Sequence, residues 1–139
     1  MSYFLWTADL ITRDKRVDAD HRKLTMLIDG LFAAFERGAS VGTINLEMDN
    51  LLAFAKEHFD WEESEMLRIG FVDRDRHAAD HSKLMMEVTV LKSQIESAQH
   101  IKLLEIYDFM RTWLRNHILC FDTPFIVAAA AFGCDQPSL

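Results

Sequence analysis

Hydrophobic residues recur at intervals of three and four along four long stretches of the chain. The stretches cover about residues 17–35, 43–69, 77–95 and 103–121. This spacing is typical of helices that bury one face, and no stretch shows the strict alternation of a β-strand. The pattern therefore predicts an all-α protein with four amphipathic helices.

Short polar or glycine-containing segments separate the four stretches. They read RGASVG, GFVD and SAQH, and each is too short for a long crossover connection. Helices joined by short loops pack antiparallel to their neighbours, which predicts an up-down-up-down four-helix bundle. Asp73 is the predicted N-cap of the third helix. His100, in the last of these segments, is expected to be an ordinary surface residue.

The whole chain, residues 1–139, is expected to form a single domain. Residues 1–16 would be an N-terminal arm, residues 17–122 the bundle, and residues 123–139 a C-terminal extension with a short helix. The arm carries a run of apolar side chains that predicts packing on the bundle: Phe4, Leu5 and Trp6.

Pro124 is expected to interrupt the fourth helix, because proline lacks an N–H group and would leave the carbonyl of Cys120 without its helical partner. Alternatively, Asp122 or Thr123 could be the N-cap of a new short helix that has Pro124 as its first residue. Both interpretations predict an irregular backbone close to Asp122.

Polar residues interrupt each of the four apolar stripes. They lie near the start of the first and third helices and near the end of the second and fourth, so the predicted topology brings them to one end of the bundle. They are His21, His58, Glu62, His77, His81 and His117. Asp122 follows closely and can join them.

Burying such groups without partners costs on the order of 1–3 kcal/mol for each one. A mutual hydrogen-bond network could satisfy them, and a single histidine in a core is usually structural. Two pairs with i,i+4 spacing, His58 with Glu62 and His77 with His81, can instead chelate metal from one helix face, and this conjunction favours a metal site.

The acidic neighbours of these residues are expected to have other roles. Glu63 and Glu65 would form a solvated helix face. Asp18 and Asp20 would be charges at a helix N-terminus or hydrogen-bond partners of the metal ligands.

Composition limits the remaining classes. The net charge is −7 and the sequence has no cluster of Lys or Arg, which argues against nucleic acid as a partner. The longest apolar run has eight residues, Phe125 to Phe132. A membrane-spanning helix needs about 20 apolar residues, so no membrane insertion is expected. No secretory signal is visible, so the expected location is cytoplasmic, with Cys120 and Cys134 as free thiols.

The donor set favours two ions over one. HExxH, CxxC, EF-hand and Glu-x-x-His patterns are absent from the sequence, and zinc would need only four ligands. Two octahedral ions need twelve positions. Five nitrogens, two bridging carboxylates and one bridging oxide or hydroxide supply eleven, which leaves one position open. A pair of irons suits such ligands, and an open ferrous position invites dioxygen.

The segments DADHRKL, HFDWEE, HAADH and NHILCFD resemble those of the bacterial hemerythrins, over about residues 17–124. The resemblance implies two iron ions bridged by oxide or hydroxide. His77, His81 and His117 would bind the fully coordinated iron, and His21 and His58 the five-coordinate one. Glu62 and Asp122 would bridge both.

The same resemblance implies that dioxygen binds reversibly, as hydroperoxide, at the five-coordinate iron. The family has an apolar dioxygen pocket, and the matching positions here are Phe59, Trp113, Leu114 and Ile118. Plain core packing accounts for these four residues equally well. The N-terminal arm matches loosely, and the proline after Asp122 departs from the family pattern.

The leading hypothesis is therefore an oxygen-binding protein for storage, transport or delivery, and no enzyme. The alternatives are a di-iron enzyme acting on peroxide or nitric oxide, and an oxygen or redox sensor. Dioxygen is the expected small-molecule partner. A monomer is the simplest expectation, and an oxygen-using protein could receive the gas.

Overall fold

Helices account for nearly all of the chain that the structure describes. The computed structural model describes residues 6–96 and 103–135, with side chains within 6–94 and 106–133. The bundle helices are α1 (Lys15–Glu36), α2 (Val41–Ile69), α3 (Arg74–Glu96) and α4 (Leu103–His117). A 3₁₀ turn (Ala8–Leu10) precedes them, and a π-helical segment (Ile118–Asp122) leads from α4 into α5 (Thr123–Asp135). The prediction of an all-α protein is confirmed.

Local sequence signals define the helix ends. The side chain of Asp14 accepts a hydrogen bond from the Val17 N–H at the start of α1, and Ser40 does the same for the Thr43 N–H at the start of α2. Each satisfies a backbone donor that a helix leaves unpaired at its N-terminus. Gly70 ends α2 with φ of 66°, a left-handed conformation that glycine adopts without steric cost.

The four long helices pack as the predicted antiparallel bundle. Helix α1 contacts α2 and α4, and α2 also contacts α3. Their inward faces form a continuous apolar core, with Leu24, Ile28, Met48, Val88 and Met110 buried in it. Burial of each such side chain contributes roughly 1.5–3 kcal/mol, so the core anchors the helices that carry the polar cluster. The break predicted at residues 97–100, including His100, lies outside the described residues.

The N-terminal arm packs on the bundle as predicted. Trp6 lies against the core and Leu10 is completely buried. The backbone N–H and hydroxyl of Thr12 donate to one oxygen of Asp18, at 2.9 and 2.8 Å, and the Arg13 N–H donates to the other at 3.0 Å. Asp18 therefore fastens the arm to α1. Phe4 and Leu5 lie outside the described residues.

The interruption predicted at Pro124 is wrong. Thr123 has helical dihedral angles (φ −60°, ψ −48°), so it is not an N-cap, and helix continues on both sides of it. The Thr123 N–H bonds to the carbonyl of Ile118, five residues back, and the Thr123 hydroxyl reaches the same oxygen at 3.0 Å. The irregularity expected near Asp122 takes the form of this π-helical segment. The segment includes Cys120, whose carbonyl would pair with the N–H that Pro124 lacks.

Because α4, the π-helical segment and α5 are continuous, they form a longer apolar helix than the sequence suggested. Ile106–Gly133 is 28 residues long and reaches a mean hydropathy of 1.2 in its most apolar window, of which 22% is buried. By length and composition alone this helix could cross a bilayer. Core helices pass the same test, and this one also carries His117 and Asp122, which are buried in the bundle.

Replacing Asp18 by alanine should loosen the arm. The change removes a charged acceptor of three hydrogen bonds, which should cost about 1–3 kcal/mol of unfolding free energy. Urea denaturation measures the loss, and hydrogen exchange at the Thr12 and Arg13 amides should become faster. Asp75→Ala is the control, because the Asp75 side chain is fully exposed. Equal effects of the two substitutions would contradict the role given to Asp18.

Candidate metal centre

The seven polar residues singled out in the sequence lie together at one end of the bundle. None of them is more than 2% exposed. Helix α1 contributes His21, α2 contributes His58 and Glu62, α3 contributes His77 and His81, α4 ends with His117, and Asp122 ends the π-helical segment. The convergence predicted from helix order and topology is therefore present.

The helical spacing explains how each side chain reaches this place. Residues i and i+4 lie on one face of an α-helix, which aligns His58 with Glu62 and His77 with His81. Asp122 is five residues after His117, and in a regular α-helix it would point about 140° away. The wider π turn removes most of that offset, and Asp122 Oδ1 lies 3.1 Å from His117 Nε2.

The donor atoms form two groups that share both carboxylates. In each group, one donor atom from every residue lies within 4.8 Å of one from every other. The larger group has three histidines and the smaller has two. The first consists of His77, His81, His117, Glu62 and Asp122, and the second of His21, His58, Glu62 and Asp122. This arrangement offers two adjacent positions for metal ions.

The nitrogen atoms in the larger group are spaced as ligands of one ion. The Nε2 atom of His117 lies 3.1 Å from that of His77 and 3.0 Å from that of His81. Adjacent ligands of an octahedral ion, with metal–nitrogen distances of about 2.1 Å, are separated by about 3.0 Å. The three rings therefore present their Nε2 atoms to one point.

Many donor atoms in the cluster are buried without a hydrogen-bond partner. They include both oxygens of Glu62, both oxygens of Asp122, and the Nε2 atoms of His21 and His58. The 2.7 Å contact between His21 Nε2 and Asp122 Oδ2 is close but lacks hydrogen-bond geometry. Leaving so many buried atoms unsatisfied is costly, whereas metal ions at the two positions would engage them. The residues present therefore fit a bound metal better than a mutual hydrogen-bond network.

Three further carboxylates hold the outer nitrogens of the histidines. The Nδ1 atom of His58 lies 2.7 Å from Asp20, that of His81 lies 3.0 Å from Glu63, and that of His117 lies 2.7 Å from Asp80. A carboxylate accepts the Nδ1 proton, which turns the Nε2 lone pair toward the cluster interior. These three acids orient the rings without themselves joining the donor groups.

Sequence reasoning found only part of this outer set. Asp20 was expected as either a helix charge or a partner of the ligands, and it is a partner. Glu63 was expected on a solvated face, and that expectation is wrong, because its side chain reaches His81 on α3. Asp80 was overlooked, although the dipeptide Asp-His at 80–81 repeats the one at 20–21 and could have signalled it.

The buried charges perturb one another strongly. Burial lowers the pKa of His58, but its hydrogen bond to Asp20 and the nearby charge of Glu62 outweigh this and raise the pKa to about 10. Burial likewise opposes protonation of His117, yet the charge of Asp122 and the bond to Asp80 raise its pKa to about 9. Burial would raise the pKa of Asp122, but the charge of His117 holds it well below its usual value. The cluster therefore attracts positive charge.

Aromatic and aliphatic side chains enclose the centre. Phe59 stacks on His81 with ring centroids 3.9 Å apart, and Trp113 stacks on His117 at 4.5 Å. Phe59, Trp113 and Leu114 also line an apolar cavity of about 30 Å³ that extends into the core. Ile118 is fully buried in the same core but does not line this cavity.

The exposed Cys120 is a free thiol. The side chain of Cys134 lies outside the described residues, so the expectation of a second free thiol stays a prediction.

Comparisons with known proteins agree with this architecture. No family model matches the chain. Bacteriohemerythrin of Methylococcus capsulatus is 28% identical over 119 residues, which cover 85% of this chain and 90% of that protein. Bacteriohemerythrin of Clostridium acetobutylicum is 26% identical over 127 residues, covering 88% and 98%.

A solved structure matches along nearly the full length. The crystal structure of a wild-type hemerythrin superposes with a TM-score of 0.83 at 25% identity, covering 93% of this chain and 99% of that one. The match therefore includes the helices that carry the buried histidines and carboxylates. With its four-helix bundle and its His/Glu/Asp cluster, the chain is similar to the hemerythrins in both sequence and fold.

Proposed function

We propose that this protein is a non-haem di-iron protein that binds dioxygen reversibly, for oxygen storage, transport or delivery. One observation carries the proposal. Two buried donor groups share Glu62 and Asp122. Phe59, in the wall of an apolar cavity, stacks on His81 of the larger group and lies beside His58 of the smaller one, with ring centroids 5.9 Å apart. Iron is the metal that the family implies, and imidazole with carboxylate suits it.

In this proposal each donor group holds one iron. His77, His81 and His117 would hold one ion and His21 and His58 the other, and both ions would share Glu62 and Asp122, with an oxide or hydroxide as a further ligand. Such a pair, when bound, supplies the electrons for reversible dioxygen binding. The smaller group offers one histidine fewer, so its ion is the one with a place for an external ligand.

The apolar cavity would deliver a small neutral gas and exclude water. Within the described part of the chain it is lined by aliphatic and aromatic side chains together with Met85 and Met110, and by no acid or base. A volume of about 30 Å³ is enough for a very small molecule. Charged or polar ligands would lose their hydration in entering it, whereas dioxygen would not. The lining also offers no side chain as a proton donor, which favours reversible binding over further reaction.

We further propose that the protein works as a cytoplasmic monomer that supplies an oxygen-using partner. The bundle supports the monomer, since its helices bury their apolar stripes against one another within the described residues.

Repeated oxygenation tests the proposed function. Protein reconstituted anaerobically with ferrous iron should bind two irons per chain, change its visible spectrum under oxygen, and recover the original spectrum under argon over many cycles. One iron or none per chain would refute the proposal. Rapid consumption of peroxide or nitric oxide with a reductant, without reversible cycling, would instead support the enzyme alternative.

Opening the cavity should shorten the life of the oxygen-bound protein. Leu114→Ala removes part of the lining beside Trp113, so water and small anions should enter and autoxidation should become several-fold faster. The decay of the visible spectrum under air gives the rate. Leu31→Ala is a matched control, because Leu31 is equally buried (both 2% exposed) but does not line the cavity. Both substitutions should cost about 2–5 kcal/mol of stability. Unchanged decay in Leu114→Ala would contradict the assignment of the cavity.

Metal-free protein should lose stability as the pH rises. The folded-state pKa values of about 10 for His58 and about 9 for His117 lie above the ordinary value of 6.5. A raised pKa contributes stability that is complete below the unfolded value and disappears as the pH passes the folded value. The unfolding free energy of metal-free protein should therefore fall between about pH 6.5 and about pH 10.

Urea denaturation across this range measures that loss. Metal-loaded protein is the control, because an ion replaces the protons of the cluster and should remove this part of the pH dependence. Parallel curves for the two forms would contradict the interpretation.

A further inference from the structure

We infer that the two metal positions are unequal, and that the position of His77, His81 and His117 fills first and holds its ion more tightly than that of His21 and His58. We further infer that Asp80 and Glu63 are positioning residues for the first position and Asp20 for the second. Both inferences rest on the proposed function, because they assume two ions in the cluster.

The outer carboxylates form a directional series around the bundle. Asp20 on α1 holds His58 on α2, Glu63 on α2 holds His81 on α3, and Asp80 on α3 holds His117 on α4. Each acid is the sequence neighbour of a donor residue on its own helix but bonds to the histidine of the next helix. The series therefore couples the positions of all four helices.

The series does not close between α4 and α1. Among the described residues, the buried Nδ1 atoms of His21 and His77 have no hydrogen-bond partner. The larger group thus has two of its three rings held by carboxylates, and the smaller group has one of its two. His21 is left to be oriented by packing and by the ion itself.

Stacking adds to this inequality. His117 lies between Trp113 and Phe121, nearly parallel to both (12° and 15°), and His81 lies parallel to Phe59 at 9°. The His21 and His58 rings meet edge to face, at 75°, and His58 is tilted by 54° to Phe59, so neither ring is stacked in these contacts. Two of the three rings of the larger group, His81 and His117, are therefore held before an ion arrives, which lowers the ordering cost of binding.

Donor number acts in the same direction. Five residues converge on the first position and four on the second, with Glu62 and Asp122 common to both. An ion that arrives first meets the most donors and the most rigid rings at the first position. Outer partners of metal-binding histidines typically change metal affinity by about 10- to 100-fold, so their uneven distribution should separate the two binding steps.

Anaerobic titration of the metal-free full-length chain with Co²⁺, in competition with a chelator, tests the order. Two steps are expected. Paramagnetic proton NMR identifies the rings, because a coordinated imidazole that keeps its Nδ1 proton gives a strongly shifted, exchangeable signal. The first equivalent should produce three such signals, and the second should add two more.

Isosteric variants assign the positioning residues. Asp80→Asn should weaken the first step by about 10- to 100-fold and leave the second largely unchanged, and Glu63→Gln should act in the same way. Asp20→Asn should weaken the second step alone. Asp75→Asn is the control, since it removes a charge near His77 from a fully exposed side chain, and it should change neither step. Circular dichroism of each metal-free variant establishes that it is folded.

The outcomes separate the inference from the proposed function. Two ions that bind in one indivisible step, or five NMR signals that grow together, would overturn the filling order and leave the di-iron proposal intact. Equal effects of Asp80→Asn and Asp20→Asn on both steps would overturn the positioning roles. Binding of fewer than two ions by the unmodified chain would refute the di-iron proposal, and the filling order with it.

Discussion

The structure depends on the mutual burial of five imidazoles and two carboxylates within one end of an apolar bundle. Alone, each of these groups would oppose folding, because a desolvated polar atom without a partner is costly. Together they form a concentrated set of donors that attracts cations. The apolar core at the other end holds the helices in place, so the stability of the bundle supports a cluster that would otherwise separate them.

The outer acids make this arrangement a property of the whole bundle. Since Asp20, Glu63 and Asp80 each reach across to a neighbouring helix, the direction of a ring depends on how two helices pack. The same contacts explain why the acids are only partly buried, with side chains 18–29% exposed: they lie at the seams between helices. The packing of neighbouring helices therefore determines the directions of these histidine rings.

Much of the fold and of the inner cluster could be predicted from the sequence. Intervals of three and four residues identify helices, and the same periodicity identifies the polar residues that share their buried faces. The outer contacts were harder to predict, because Glu63 lies one residue from a buried position and its partner depends on the rotation of α3. Pro124 was misinterpreted because the absence of an N–H predicts an unsatisfied carbonyl but not the turn type that accommodates it.

The π-helical segment sets a strict condition on chain length. His117 and Asp122 are separated by five positions, and only a turn of this width brings both to one side of the helix. Deleting one intervening residue would leave Asp122 four positions after His117, which a regular α-helix also aligns, within about 40°. Inserting one residue would instead rotate everything beyond it by about 100°. Phe125, which packs near Phe71 and His77, would turn away with it. An insertion that the loops of this protein could absorb would, in this one turn, move Asp122 and Phe125 away from the histidine cluster at the same time.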